Sequence, residues 1–327
     1  MSDPTTGRRL MVTTVDYHTA GEPFRIVSGG VPSLRGRTIL EKRRYALEHL
    51  DDVRQLLVFE PRGHADMYGG FVTEPEDGGA QLGVVFFHNA GYSTACGHGT
   101  IALVTWAIDA AIVPATGRLV EVVVDVPSGR LKTVATMQDG RVRSVRFRNV
   151  PSFVLFEGLT VTAGGRPTEV AVAFGGAFYA IVPAERFELP IEPAFVPRFI
   201  ELGREIKATI EAKREIVHPL EAELAGIYGV MFTAENRNVT VFADGDDLHR
   251  IDDELHGDRG EEQTQHPRQQ LNHGGPKQSG DLGGEHQADR HHDDHGDDAE
   301  KNAQSSRRVL VALGEHHDRG DCPRAGE

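Results

Sequence analysis

Cys96 is the residue whose type and position could most directly do chemistry. It lies in the segment of residues 88–100, and Gly97 and Gly99 follow it within three positions. A mostly apolar stretch over residues 100–111 begins there, which predicts that the cysteine stands at the start of a helix. The free amide groups and the positive dipole end of a helix start lower the pKa of a thiol and also form an anion site.

These features suit removal of a proton from a carbon next to a carboxylate. The helix start would hold the carboxylate, the glycines would allow its close approach, and the thiolate would stand beside it as the base. Two simpler interpretations stay open here, namely that Cys96 is a small buried apolar residue and that His98 is a structural imidazole. A cysteine hydrolase is a weaker interpretation, since His98 is only two residues from Cys96 and no orienting acid is evident.

The rest of the sequence predicts a strand-rich α/β protein with few helices. The helix after Cys96 is apolar almost all round, so we expect it in the middle of a domain, wrapped by a sheet. A second helix, over residues 199–216, is amphipathic and should lie on the surface. The β-favouring runs that predict strands are 10–14, 25–28, 56–59, 82–87, 119–126, 131–137, 141–147, 170–174 and 178–182.

Five motifs occur in the order found in the proline racemase family, which the sequence resembles over about residues 10–245. This resemblance implies the fold of diaminopimelate epimerase, with two α/β lobes, each a curled sheet around a central helix, and an active site in the cleft between them. It also implies catalysis with no cofactor, neither pyridoxal phosphate nor a metal. The motifs are DYHTAGEP (16–23), FEPRGHADMYG (59–69), a segment ending in CGHG (89–99), AFGGAFYA (173–180) and NRNVTVF (236–242).

The resemblance also implies roles for three residues. Cys96 would be one of two general acid/base groups that face opposite sides of the substrate Cα. The backbone amides of Gly97 and His98 would hold the substrate carboxylate, and the His98 ring would lie near the substrate ring nitrogen. The segment around Cys96 resembles the trans-3-hydroxy-L-proline dehydratase branch, although Ala95 stands where the family usually has Met.

The expected activity is therefore dehydration of trans-3-hydroxy-L-proline. Cys96 would remove the Cα proton, and loss of the 3-hydroxyl as water would give Δ1-pyrroline-2-carboxylate through an enamine. One alternative is a proline racemase or 4-hydroxyproline 2-epimerase, which in this family has a second cysteine in a later motif where the dehydratases have threonine. Another is an inactive member, because that later motif is absent here. The expected partner is a small molecule, proline or hydroxyproline, and a homodimer is compatible with the resemblance.

The composition of the chain changes sharply near residue 245, where the resemblance ends. All aromatic residues lie before that point, whereas 10 of the 16 histidines and 10 of the 14 net negative charges lie after it. Such a segment buries too little apolar surface to offset the entropy of ordering it. We therefore expect a first lobe over 1–155 with its central helix at 97–111, a partial second lobe over 156–245, and an acidic, His-rich tail over 246–327. The tail is expected to be disordered, either by nature or because it is encoded out of frame.

Composition also argues against several classes of protein. A net charge of −14 without a basic, aromatic-interleaved stripe argues against a nucleic-acid partner. No apolar run is long enough for a membrane span, and residues 1–10 lack the apolar part of a secretory signal. Only Cys96 and Cys322 are cysteines, so no disulfide framework is available and the cytoplasm is the expected location. The tail residues His291, His292 and His295 lack a fixed ligand spacing, so no metal site is predicted.

Overall fold

The computed structural model describes residues 9–235, 237–242, 249–252, 263–265, 267–269 and 307–312. These residues form two separate mixed sheets with α-helices packed on them, which confirms the predicted two-lobed α/β architecture. The first lobe comprises β1 (Arg9–Thr19), β2 (Glu22–Gly29), α1 (Ile39–His49), α2 (Asp51–Val58), β3 (Tyr68–Thr73), β4 (Leu82–His88), α3 (Gly97–Asp109), β5 (Leu119–Val126), β6 (Gly129–Gln138) and β7 (Arg141–Arg148).

The second sheet starts with the strand at Phe153, and the lobe boundary expected at residue 155 stays a prediction. The second lobe contains β8 (Phe153–Ala163), β9 (Arg166–Phe174), β10 (Phe178–Pro183), α4 (Val196–Lys213), β11 (Ile227–Thr233), β12 (Asn238–Phe242) and β13 (His249–Asp252). Two short 3-10 turns, Ala184–Phe187 and Pro193–Phe195, precede α4. The strand order of this sheet is β13-β12-β11-β10-β9-β8.

Helix α3 runs through the middle of the first lobe, as its composition predicts. Every residue from His98 to Ile108 is buried, and the helix contacts β1, β2 and β3 as well as β6 and β7. Because these strands come from both ends of the order β7-β6-β5-β4-β3-β2-β1, the sheet curls around the helix. The helix expected over 97–111 ends at Asp109, and Ala111 has the left-handed φ of +55°.

Strand β4 separates two apolar layers of the first lobe. Successive side chains of a strand point to opposite faces, so Val84 and Phe86 join the core around α3, whereas Val85 and Phe87 join the core under α1 and α2. All seven residues of β4 are buried as a result. A strand covered by helices on both faces reads as a continuous apolar run, which is why residues 82–87 were recognisable in the sequence.

The strand predicted at residues 56–59 is wrong, because these residues lie at the end of α2 and just beyond it. Asp51 and Asp52 occupy the first turn of α2, where acidic side chains stabilise the helix dipole, and Val53 and Leu57 bury one face. Helix α1 was not predicted either, although its capping box is a local signal: the Thr38 side chain accepts from the Glu41 amide, and the Glu41 side chain reaches back.

Helix α4 is the amphipathic helix expected over 199–216. Each of its ends lies three residues before the expected position. Its buried residues pack against β8, β11 and β12. In the described part of the second lobe, α4 is the helix that covers the sheet. The interpretation of this lobe as partial stays a prediction.

Four short strands come from the region predicted to be a disordered tail. They are β13, β14 (Gln263–Gln265), β15 (Pro267–Gln269) and β16 (Arg307–Ala312), which pair with β12, β7, β1 and β1 respectively. The RRVLVA sequence of β16 is a short β-favouring run that the composition of the tail obscures. Other tail positions, including His291, His292, His295 and Cys322, lie outside the described residues, so disorder or an out-of-frame origin stays a prediction.

Replacing Leu103 by Ala should destabilise the first lobe strongly. Leu103 is fully buried in α3, so truncation leaves a cavity and should lower the free energy of unfolding by about 2–5 kcal/mol. The matched control is Leu220→Ala, since Leu220 is 89% exposed and should lose less than about 0.5 kcal/mol. Urea unfolding followed by circular dichroism measures both, and equal losses for the two variants would contradict the central position of α3.

Candidate active site

Cys96 is the residue that immediately precedes α3. Its backbone is extended, with φ −155° and ψ 103°, and its side chain makes no capping hydrogen bond. Both the amide and the hydroxyl of Thr100 donate to its carbonyl oxygen, at 2.9 and 2.8 Å. The first helical turn therefore holds the backbone of Cys96, whereas its thiol does not cap the helix. The backbone amides of that first turn have no acceptor within the helix.

The thiol of Cys96 and the imidazole of His98 lie together at the start of α3. The Sγ atom of Cys96 is 3.6 Å from each of the two ring nitrogens of His98. Both side chains are buried, at 8% and 9% exposure. The hydroxyl of Thr19 in β1 donates to the His98 carbonyl oxygen at 3.0 Å, which ties the helix start to the sheet. The structure thus brings the three predicted site residues, Cys96, Gly97 and His98, to one place.

Because Gly99 has no side chain, it leaves room for the thiol of Cys96. A Cβ atom at this position would lie 2.4 Å from a ring carbon of Phe24 and 2.8 Å from the Sγ atom of Cys96. Both distances are shorter than real carbon contacts, so any larger residue would displace the thiol or the ring. The second glycine of the Cys-Gly-His-Gly motif is therefore explained by its packing against the thiol of Cys96 and the ring of Phe24.

A row of rings connects His98 to the second lobe. The Tyr68 ring stands edge-on to the His98 ring, with 4.9 Å between centroids, and its hydroxyl is 3.0 Å from the hydroxyl of Tyr228. The His88 ring lies 5.2 Å from that of Tyr68 and 5.8 Å from that of Tyr228. The Tyr179 ring lies 5.8 Å from Tyr228. Tyr228 and Tyr179 belong to β11 and β10, so both lobes border the site.

No sequence pattern assigns a role to the rings of Tyr68, His88, Tyr179 and Tyr228. Tyr68 and Tyr179 lie inside two of the five motifs, and Tyr228 lies in none of them. A Gly-preceded β-favouring run, IYGVMFT, does predict a strand that carries Tyr228. Its pairing with Tyr68 joins residues 160 positions apart, and no local pattern predicts such a contact.

Tyr68 is protonated at neutral pH. Burial, reinforced by the neighbouring Tyr228 and Cys96, raises the pKa of Tyr68 well above its usual value near 10. This phenol can therefore take part in hydrogen bonds, but it is a poor candidate for a base. Among the side chains around the start of α3, the thiol is the better candidate.

The loop before Cys96 is fastened to the second lobe. The Thr94 hydroxyl donates to the carbonyl oxygen of Gly176 at 2.6 Å. Gly176 has φ +105°, and a Cβ atom there would lie 2.8 Å from that of Ala95. Gly176 thus permits both a left-handed backbone and close contact with the Cys96 loop.

Asp16 and Asn89 of the motifs, and Arg25 beside the first motif, stabilise loops. Arg25 forms an ion pair with Asp16 at 2.7 Å and also donates to the carbonyl oxygens of Leu57 and Arg62. The Asn89 amide accepts from the backbone amide of Met67 and donates to the carbonyl oxygens at 58 and 64. These contacts hold the long connection between α2 and β3 in place.

The described residues contain no group of three or more His, Cys, Asp or Glu side chains that could hold a metal ion. Among the described residues, no helix is long and apolar enough to cross a membrane.

Comparisons with known proteins match most of the chain. The family model described as proline racemase matches residues 14–247, so the match ends close to residue 245, as expected. A trans-3-hydroxy-L-proline dehydratase from Bacillus cereus is 45% identical over 240 residues, which cover 71% of this chain and 72% of that protein. A 3-hydroxyproline 2-epimerase from Burkholderia multivorans is 42% identical over 241 residues, again 71% of this chain and 72% of that protein.

A solved structure supports the same fold. The crystal structure of a hydroxyproline epimerase from Agrobacterium vitis, with bound trans-4-hydroxy-L-proline, has a TM-score of 0.68 and 27% sequence identity. The similarity covers 74% of this chain and 72% of that one.

Replacing Gly99 by Ala should disturb the thiol of Cys96. The added methyl group would overlap Sγ and the Phe24 ring, so we expect slower alkylation of Cys96 by iodoacetamide and a loss of about 1–3 kcal/mol in unfolding free energy. Peptide mass spectrometry separates Cys96 from Cys322. Gly117→Ala is the matched control, because no atom lies within 4 Å of its added Cβ, and it should change stability by at most about 1 kcal/mol. Unchanged alkylation in Gly99→Ala would contradict the packing described here.

Proposed function

The chain belongs to the proline racemase family of enzymes, and from this we propose that it is a trans-3-hydroxy-L-proline dehydratase with Cys96 as its base. The observation that carries the proposal is the position of Cys96 at the start of the buried helix α3, where its side chain makes no capping hydrogen bond. The dehydratase from Bacillus cereus, and others from Colwellia psychrerythraea and Azospirillum brasilense at 42% identity, support the choice of reaction.

The start of α3 is the proposed site of the substrate carboxylate. The amides of Gly97 and His98 belong to the first turn, where backbone N–H groups have no acceptor within the helix and the dipole favours an anion. A carboxylate placed there brings the adjacent Cα towards the Cys96 thiol. The first turn contains no acidic side chain that would compete for these amides.

The Cys96 thiolate then removes the proton on Cα. The electron pair left on Cα is delocalised into the carboxylate, whose growing charge the same amides stabilise. This electron pair forms the Cα–C3 double bond as the C3–O bond breaks. The leaving hydroxide takes up one proton, so one water is lost in total, and the resulting enamine isomerises to Δ1-pyrroline-2-carboxylate.

The protonation state of Tyr68 agrees with these roles. Because its pKa is raised well above 10, Tyr68 is not the base, although its ring faces His98. The His98 ring, 3.6 Å from Sγ through either nitrogen, is the proposed neighbour of the substrate ring nitrogen.

A racemase or 2-epimerase is the second candidate, and the 42% identical 3-hydroxyproline 2-epimerase favours it. Reprotonation from the opposite side of Cα by a second thiol is the route that the family resemblance implies for that reaction. Cys96 is the sole cysteine in the matched residues 14–247, so such a thiol is absent from that region. The residue that separates the two reactions belongs to the later motif that this chain lacks, so we prefer dehydration because of the segment around Cys96 and the dehydratases among the relatives.

Substrate class, location and assembly follow from the same reasoning. The family acts on small amino-acid substrates, and proline or hydroxyproline is the proposed one here. A base that must stay a free thiol favours the reducing cytoplasm. A homodimer is the assembly we propose to test by light scattering.

Incubation with trans-3-hydroxy-L-proline in deuterium oxide tests the proposed reaction. The wild-type chain should form Δ1-pyrroline-2-carboxylate, and Cys96→Ser should lower turnover by at least about a hundredfold, because a serine hydroxyl is a far weaker base. Cys322→Ser is the matched control and should keep wild-type turnover.

The deuterium content of the recovered hydroxyproline distinguishes epimerisation from dehydration. Deuterium at Cα of a recovered hydroxyproline, with no loss of water, would replace the dehydratase by an epimerase. A folded wild-type chain without any turnover would support the inactive family member.

A further inference from the structure

A cavity of about 270 Å³ lies between the two lobes, apart from the Cys96 site. Its walls come from α1, from the loop of residues 90–94, from α4 and from the segment of residues 224–228. Neither Cys96 nor His98 lines it. The side chains of His88 and Tyr228 form its boundary towards the row of rings that leads to His98.

The charged groups of this cavity come from both lobes. Arg43 of α1 and Lys207 of α4 contribute two positive charges, and Glu211, one helical turn after Lys207, contributes one negative charge. The Glu211 carboxylate also accepts the backbone amide of Ile227 at 3.1 Å. The charged side chains that line the cavity sum to one net positive charge.

The guanidinium of Arg43 is held in place but is incompletely hydrogen-bonded. One of its terminal nitrogens donates to the carbonyl oxygen of Tyr92 at 2.8 Å, which fixes the group at the cavity wall. Its Nε atom is buried and has no partner among the described residues, and neither has the buried hydroxyl of Ser93 in the adjoining loop. Buried donors without acceptors are costly, and these two belong to residues of the same cavity wall.

The remaining walls of the cavity are largely apolar. Phe174 and Phe178 of the second lobe contribute aromatic surface, and Leu224 and Ile227 contribute aliphatic surface. A site with an apolar wall and a few convergent polar groups is typical of a small-molecule pocket. Inorganic phosphate would leave the apolar wall uncovered and would exceed the single net positive charge.

We propose that this cavity binds a small organic monocarboxylate. Its carboxylate lies between Arg43 of the first lobe and Lys207 of the second, and its hydrocarbon part packs against Phe174, Phe178 and Leu224. A ligand in this position connects the two lobes next to the loop of residues 90–94, which leads to Cys96. The site is separate from the place proposed for the substrate carboxylate at Gly97 and His98.

Calorimetric titration of the full chain with isovalerate tests the site. Cys96 is first alkylated with iodoacetamide, so that binding at the start of α3 is blocked. We expect millimolar binding to the alkylated chain, at least tenfold weaker binding to Arg43→Met, and restored binding to Arg43→Lys. Arg44→Met is the matched control, because Arg44 neighbours Arg43 on α1 but pairs with Glu223 and does not line the cavity, and it should bind within twofold of wild type.

Two further measurements keep the test decisive. Lys207→Met removes the cation of the other lobe and should also weaken binding at least tenfold, which tests the site even if Arg43→Met fails to fold. Isopentylamine and phosphate should bind at least tenfold more weakly than isovalerate. Equal affinity of the amine, equal affinity of the Arg43→Met chain, or binding that vanishes on alkylation of Cys96 would each overturn the proposal. None of these outcomes bears on whether Cys96 is the base for dehydration.

Discussion

The burial of helix α3 is the constraint on which the rest of the structure depends. Residues 98–108 are all buried, so the first sheet must surround the helix on several sides. A helix held in this way has a fixed starting point, and Cys96 lies there without a capping role for its side chain. The apolar composition of one helix thereby sets the position of the amides and of the thiol.

The lobes are connected where the chemistry is proposed to occur. Thr94, two residues before Cys96, bonds to Gly176, and Tyr68 bonds to Tyr228. Arg44 and Glu223 form a further ion pair between the lobes, but it is partly exposed and contributes little to stability. The buried contacts near the site are therefore more important for the relative position of the lobes. A shift of the second lobe would move the loop that leads to Cys96.

Much of the fold could be predicted from the sequence because its signals are local. The helix α3, the placement of Cys96 before it, and the strands at residues 82–87 and 119–126 follow from apolar periodicity and from composition. The apolar run at residues 56–59 predicts a strand although it lies at the end of α2 and just beyond it, because short apolar runs do not distinguish a helix from a strand.

The parts of the site that were not predicted depend on long-range contacts. Tyr228 meets Tyr68 across 160 residues, and Arg43 and Lys207 meet at a cavity that neither helix forms alone. The sequence predicts that Gly99 lets a ligand approach the backbone closely, and the structure shows in addition that the missing side chain makes room for Sγ of Cys96. Such requirements appear only when the packed neighbours are known.

A crystal structure of the chain with trans-3-hydroxy-L-proline bound would test the central claim most directly. The account predicts carboxylate oxygens within about 3.2 Å of the amides of Gly97 and His98, and the substrate Cα within about 4 Å of the Sγ atom of Cys96. A carboxylate bound away from the start of α3, or a Cα that faces another side chain, would contradict it.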